Sequence, residues 1–360
     1  MKFLILTNHS YMLWQFRKEL IEALLAHGEV VISTPFNGRE EDFRALGCRM
    51  IETAVDRRGM NPMTDLKLCR TYFQMLKTEK PDMVITYSVK PNVYGGYACR
   101  KLGIPYCVNV QGLGTAFQKK PLSSVVTVLY RSALKKAKTV FFENAANREE
   151  FLRRKIVPTE RTTLLPGAGI NLQRFPLRPY PENEKLRFLF LGRLMKEKGV
   201  EELFFAVKTL HAEGVPFVLD LVGFFEEAYK AQTEELVREG IAVFHGFQED
   251  PAPYYASSDC VVLPSYHEGM SNVLLEGAAT GRPLITSDIP GCREAVLDGE
   301  SGFLCSACNA GALTDAMRRF CSLSREKREA MGLTGRALME ERFEKSKVVE
   351  STLEAILKKA

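Results

Sequence analysis

Cys260-Val261-Val262-Leu263-Pro264-Ser265-Tyr266-His267-Glu268-Gly269-Met270-Ser271-Asn272-Val273-Leu274-Leu275-Glu276 is the stretch on which the reading of this chain turns. Four apolar residues closed by a proline read as a buried strand, the Pro264–His267 segment as a turn, and the run beginning near Ser271 as a helix entry. Two carboxylates, Glu268 and Glu276, flank a Gly-Met-Ser-Asn step. Backbone N–H groups left unpaired at a helix start attract a phosphate, and carboxylates accept hydrogen bonds from vicinal hydroxyls. A nucleotide sugar offers both. An ordinary helix start, with Ser271 or Asn272 as its cap and Glu276 in solvent, uses the same residues, so the surrounding sequence has to weigh between them.

Upstream stands Leu191-Gly192-Arg193-Leu194-Met195-Lys196-Glu197-Lys198-Gly199-Val200, where the strand Phe188–Leu191 opens into a helix. A guanidinium fork at Arg193 and an ammonium at Lys198 suit a diphosphate leaving group, whose developing charge is what such a reaction must stabilise. Each alone would read as surface charge; together with the two glutamates they make one coherent diphosphate site. Further outward, apolar strand-like runs alternate with helical stretches: Phe3–Leu6, Val30–Ser33, Met83–Tyr87, Tyr106–Val110 and Thr139–Phe142 in the first half, then Phe188–Leu191, Phe217–Val222, Ala242–His245, Cys260–Leu263 and Leu284–Thr286. Trp14–Ala26 reads as a helix with Gly28 just beyond its end, and Val200–Glu213 as another. The proline-rich loop Phe175–Pro181 suits a linker. The fold class that follows is α/β with two Rossmann-like domains, 1–174 and 175–340, and a helical tail over 341–360. Ligand sites in such sheets lie beyond the carboxyl ends of the strands.

Size and composition agree. The 360 residues exceed what one core usually supports, and 46% apolar with 26% charged residues is a globular composition. The apolar start Phe3–Leu6 is too short for a signal-peptide core, and no run approaches the roughly 20 residues needed to cross a bilayer. Nine scattered cysteines, with one Cys305-Ser306-Ala307-Cys308 pair lacking a second pair at zinc spacing, point to a reduced cytoplasm and a small-residue turn rather than a metal site. Residues 1–170 hold 26 Lys+Arg against 15 Asp+Glu, while the remainder holds 23 against 29. The basic excess gathers at Lys119, Lys120, Arg131, Lys135, Lys136, Lys138, Arg148, Arg153, Arg154 and Lys155. That density is compatible with an anionic lipid surface or with a phosphorylated partner, and equally with a solvated helix face. Without interleaved aromatics in a recognisable module it does not suggest nucleic acid.

Gly192-Arg193 with Lys198-Gly199, His245-Gly246-Phe247, and Glu268-Gly269-Met270-Ser271-Asn272 through Glu276 resemble the GT-B-fold family four of retaining glycosyltransferases. Within it, the chain is most similar to bacterial enzymes that extend undecaprenyl-diphosphate-linked sugars, including the campylobacter-type N-acetylgalactosaminyltransferase of protein N-glycosylation. The resemblance implies two Rossmann-like domains facing across a cleft, with the last helix crossing back to the first. It implies transfer of a hexose or N-acetylhexosamine from a UDP-sugar to a polyprenyl-diphosphate-linked or saccharide acceptor, in surface polysaccharide or glycoconjugate synthesis, without metal or other cofactor. By resemblance, Arg193 and Lys198 hold the diphosphate, Glu268 the donor hexose, Gly269, Met270, Ser271, Asn272 and Val273 the sugar and phosphate through backbone groups, and Glu276 the ribose. Gly192 belongs to the same loop, and Gly223 with Gly246 and Phe247 borders the base.

The first domain departs from the family pattern of a paired-glycine loop after strand one and a His-Gly step facing the donor sugar. Asn8-His9-Ser10 and Gln111-Gly112 stand there instead. Gln111 can hydrogen-bond a sugar hydroxyl but cannot act as cation or acid. His9 is a candidate partner for acceptor or phosphate, or simply a polar loop residue. Gly112-Leu113-Gly114-Thr115 supplies flexible backbone, and Phe117–Lys138 alternates Val125, Val126, Leu129 and Leu134 with basic residues. Such a stretch can rest on an anionic leaflet at the cytoplasmic face of the inner membrane or pack into a core. Arg17, Lys90 and Arg100 are candidates for acceptor-phosphate charge. The competing functional readings are a sugar-nucleotide epimerase of related fold and a non-catalytic sugar-nucleotide-binding protein.

Overall fold

The computed structural model describes all residues except 57, 58, 60, 113–116, 118, 119, 359 and 360, and side chains other than those of 120–122. The expectations for Gly114, Thr115, Lys119 and the Lys120 side chain lie outside the described residues. The chain divides into two units, one of Met1–Ala168 with Ser346–Ala360 and one of Gly169–Lys345. The division precedes the proline-rich loop because Ile170 and Phe175 already belong to the second core, and Ile170 bridges to Glu344.

The first unit carries strands β1 (Lys2–Leu6), β2 (Glu29–Thr34), β3 (Arg49–Glu52), β4 (Met83–Tyr87), β5 (Tyr106–Val110), β6 (Thr139–Phe142) and β7 (Thr162–Leu164). They pair in the order β3-β2-β1-β4-β5-β6-β7, all parallel. The central strands β4 and β5 are buried throughout, as a sheet covered by helices on both faces requires, and so read as unbroken apolar runs. Its helices are α1 (Ser10–Leu25), α2 (Glu40–Leu46), α3 (Pro62–Glu79), α4 (Gly96–Leu102), α5 (Lys120–Leu134) and α6 (Ala145–Arg153). Helix α1 begins at Ser10, four residues ahead of the sequence reading, because Leu13 N–H already bonds the His9 carbonyl. A π-helical turn, Pro91–Gly95, joins β4 to α4.

The second unit repeats the plan with β8 (Leu186–Leu191), β9 (Phe217–Val222), β10 (Ala242–Gly246), β11 (Cys260–Leu263), β12 (Leu284–Ser287) and β13 (Gly302–Cys305), in the parallel order β10-β9-β8-β11-β12-β13. Helices α7 (Val200–Ala212), α8 (Lys230–Arg238), α9 (Ala252–Ser257), α10 (Asn272–Ala279), α11 (Ala310–Cys321) and α12 (Arg325–Leu338) surround it. The tail helix α13 (Lys345–Leu357) clusters with the first unit: buried Ile356, with Val349 and Leu353, joins the core of Phe3, Ile5 and Ile21, and Lys138 Nζ donates to the Ile356 carbonyl at 2.7 Å.

Both sheets are doubly wound, and in both the strand order reverses once, between β1 and β4 and between β8 and β11. Chain entering the two sides of such a reversal leaves a crevice at the strand carboxyl ends, where ligands of doubly wound sheets bind. Among the described residues no helix is long and apolar enough to cross a membrane.

Candidate active site

At the reversal point of the second sheet, three close approaches fix the backbone before any side chain acts. Gly223 sits at φ 147°, and a Cβ there would stand 1.8 Å from the Gly192 carbonyl oxygen, so the loops after β8 and β9 touch in a way only glycine permits. Hydrogen bonds from Gly192 N–H to Val222 O and from Gly223 N–H to Gly246 O, both 2.9 Å, stitch the ends of β8, β9 and β10 together. Gly199, at φ 71°, lies so near the Pro264 carbonyl that a Cβ would fall 2.1 Å from its oxygen, and Tyr266 N–H bonds the Glu197 carbonyl at 2.9 Å. The Gly192–Gly199 loop is thereby held on the turn that follows β11.

That contact brings Lys198 to Glu268: Nζ lies 2.5 Å from Oε1, and Ser265 Oγ donates to the same oxygen at 2.8 Å. Both side chains are largely buried, while Arg193, 41% exposed, stands loosely 3.8 Å from Glu226. Ser271 N–H bonds the Gly291 carbonyl at 2.8 Å and fixes the entry to α10. The Ser271 hydroxyl makes no capping bond to that helix, and Glu276 is buried, with Tyr255 Oη donating to its Oε2 at 2.8 Å. The ordinary-helix alternative, a side-chain cap at Ser271 and a solvated Glu276, therefore does not describe this segment. Asn272 opens α10 and Val273 is half-buried in its first turn, while Met270 packs into the core. Burial pushes the Glu276 carboxyl up to about 7, against the Tyr255 hydrogen bond and the Arg174 and Lys345 charges that lower it. Beyond Gly246, at φ 67°, Phe247 is 58% exposed and its ring meets that of Phe224, 45% exposed, at 6.3 Å.

The reversal point of the first sheet holds a cavity of ≈ 190 Å³ lined by Thr7, Asn8, His9, Met12, Leu13, Arg17, Tyr87, Ser88 and Gln111. Four candidates from the sequence, Asn8, His9, Arg17 and Gln111, thus share one crevice, with half-buried Gly112 following Gln111. Others do not join them. Ser10 is fully buried and its hydroxyl donates to Gly38 O and to Glu40 Oε1 while accepting from Asn37 N–H, so it ties down the loop before α2. Lys90 is committed to Asp65 at 2.7 Å, and Arg100 lies within α4, over the Tyr97 ring. Neither lines the cavity.

Sequence reasoning missed Ser265, Tyr255, Gly291 and Phe224 in the second unit and Tyr87, Ser88 and Glu143 in the first. Ser265 lay inside the quoted stretch and Ser88 directly after a strand, which was the available signal; Glu143 and Tyr255 become partners only through tertiary folding. The Cys305 thiol is buried and the Cys308 thiol exposed, both free. Among the described residues no group of three His, Cys, Asp or Glu side chains is placed to hold a metal ion.

Comparison with known proteins bears on this geometry directly. Residues 14–193 match the glycosyl transferase 4-like domain, and residues 185–322 match glycosyl transferases group 1. The N,N'-diacetylbacillosaminyl-diphospho-undecaprenol alpha-1,3-N-acetylgalactosaminyltransferase of Campylobacter jejuni is 28% identical over 86% of both chains. The UDP-Gal:alpha-D-GlcNAc-diphosphoundecaprenol alpha-1,3-galactosyltransferase of Escherichia coli is 27% identical over 73% of this chain and 72% of its own. Among solved structures, Anabaena HepE in complex with UDP and glucose superposes with a TM-score of 0.78 at 18% identity, over 98% of each chain. The fold is that of the GT-B glycosyltransferases, and the chain belongs to the group 1, or family four, glycosyltransferases.

Proposed function

We propose that this glycosyltransferase moves a hexose or N-acetylhexosamine, with retained anomeric configuration, from a UDP-sugar to a saccharide linked through diphosphate to a polyprenyl lipid. The observation that carries the reading is the cationic pair Arg193 and Lys198 gathered with Glu268 around the α10 entry at the reversal point of the second sheet. Glu268 receives Lys198 and Ser265 on one carboxylate oxygen, which leaves Oε2 to accept from hydroxyls of the donor sugar. The two cations stabilise the charge that develops as the bond between the anomeric carbon and the β-phosphate oxygen breaks. In a front-face reaction the acceptor oxygen bonds the anomeric carbon from the side the diphosphate leaves, and its proton passes to the departing β-phosphate oxygen. UDP and the extended acceptor are the products. No metal is needed in this scheme, because Arg193 and Lys198 supply the positive charge.

The acceptor class is inferred from the printed activities of the Campylobacter and E. coli relatives, both of which act on diphosphoundecaprenol-linked sugars. Peripheral contact with an anionic leaflet at the cytoplasmic face is supported by α5, where Val125 and Val128 are exposed at helical spacing and Lys135 and Lys136 follow in solvent. The test is incubation with UDP-sugars and undecaprenyl-diphosphate-linked monosaccharides, with and without EDTA, and NMR of the product's anomeric centre. An α-linkage from an α-donor, unchanged by EDTA, is the expected result. An inverted centre overturns the mechanism, and loss of turnover in EDTA overturns the metal-independent scheme.

A further inference from the structure

The cavity of the first unit has the outline of an anion site, since a buried arginine lines it and α1 starts at its rim. Its charge state argues otherwise. Arg17 is 5% exposed, its guanidinium is ion-paired with the buried carboxylate of Glu143, and its plane lies over the Tyr87 ring at 5.5 Å. A carboxylate so placed cancels the one permanent charge among the described lining residues, and the ring blocks a face of the guanidinium. What the cavity retains is neutral hydrogen-bonding capacity: the Gln111 amide, the Asn8 amide held by Ser88 Oγ at 2.8 Å, and the buried Arg17 Nε, which has no partner. Ser88 itself stands in left-handed backbone at φ 73°, strain that persists where surrounding structure fixes a functional geometry. Met12 and Leu13 give an apolar wall for the carbon face of a ring. Backbone N–H groups at the start of α1 serve a hydroxyl oxygen as readily as a phosphate oxygen.

We infer that this cavity is a neutral polyol subsite that takes a sugar ring through Gln111, Asn8 and Arg17 Nε, and that a phosphate or diphosphate does not bind in it. This deepens the proposed transfer reaction by assigning the sugar rather than the diphosphate of a substrate to the first unit. The ring has two sources, the donor sugar or the acceptor sugar, with the same hydroxyl chemistry.

Saturation-transfer NMR on the full chain separates these, using N-acetylgalactosamine, N-acetylglucosamine, galactose and glucose as probes. At least one sugar is expected to receive transfer in the wild type, with the signal falling about fivefold or more in Gln111→Ala and recovering in part in Gln111→Asn. Inorganic pyrophosphate added to UDP-saturated protein is expected to leave the sugar signal unchanged, in wild type and in Glu143→Gln alike. Loss of the signal on adding an intact UDP-hexose, but not UDP, assigns the subsite to the donor ring; survival assigns it to the acceptor ring. Absence of transfer from every sugar, or displacement by pyrophosphate that strengthens in Glu143→Gln, overturns the inference. Because free sugars report on the cavity without nucleotide, these outcomes stand apart from any failure of UDP to bind the second unit.

Discussion

Both sheets reverse their strand order at the same place, yet the two reversal points carry opposite arrangements of charge. In the second unit Arg193 is 41% exposed and holds its nearest carboxylate only loosely, and Lys198 meets Glu268 at the mouth of a helix. In the first unit Arg17 is sealed against Glu143 and Tyr87. A shared topology therefore fixes where ligands approach, while the burial of one cation and the exposure of another fix what kind of ligand each crevice accepts. Charge that must meet a leaving diphosphate has to remain available, whereas charge consumed by an internal partner serves the architecture.

The sharpest way to break this contrast is to remove one half of each pair. Arg17→Met leaves Glu143 buried without its counter-ion, which should lower stability by about 3–5 kcal/mol in denaturant titration. Recovery of most of that loss in Arg17→Met combined with Glu143→Leu would mark the pair as structural. Lys198→Ala should instead leave stability nearly intact and reduce kcat/KM by roughly 10²–10³-fold, the scale for losing one donor to developing charge. Gly223→Ala tests the stitching beneath the donor site, since its Cβ would collide with the Gly192 carbonyl; a loss of about 1–3 kcal/mol is expected in thermal unfolding.

The smallest effect is one of pH. Folding raises the Glu276 carboxyl to about 7, so between the unfolded value near 4.5 and about 7 the native state binds more protons than the unfolded chain. Its contribution accordingly disfavours folding progressively as pH rises through that window. If the ionised carboxylate accepts the ribose hydroxyls, donor affinity moves the opposite way, rising by at most about tenfold per pH unit up to pH 7 and levelling above it. Glu276→Gln should flatten that profile, read by calorimetric titration of nucleotide from pH 5.5 to 8.5.

Much of this was legible in the sequence because central parallel strands, buried on both faces, must be written as apolar runs, and loops that approach one another must be written with glycine. Strands Met83–Tyr87, Tyr106–Val110, Thr139–Phe142, Phe217–Val222 and Cys260–Leu263 stand where their residues indicate. The edge strands β3, Arg49-Met50-Ile51-Glu52, and β7, Thr162-Thr163-Leu164, escaped notice because they bury little and their polar residues break the pattern. The diphosphate cluster was readable since its residues fall in two short motifs. The neutralisation of Arg17 was not, because Glu143 lies 126 residues away and only the pairing of β4, β5 and β6 carries it there. Tyr255 escaped for the same reason: the residue that holds Glu276 belongs to α9, a different element.

The central claim is that the exposed cations of the second unit form a nucleotide-diphosphate site. It is tested most directly by thermal shift with UDP, GDP and ADP on the wild type and on Lys198→Ala, in buffer containing EDTA. Stabilisation of the wild type by UDP above the other two, with most of that shift lost in Lys198→Ala, is the predicted result. Failure of all three nucleotides to stabilise a folded wild-type protein, or an equal shift in the variant, would contradict it.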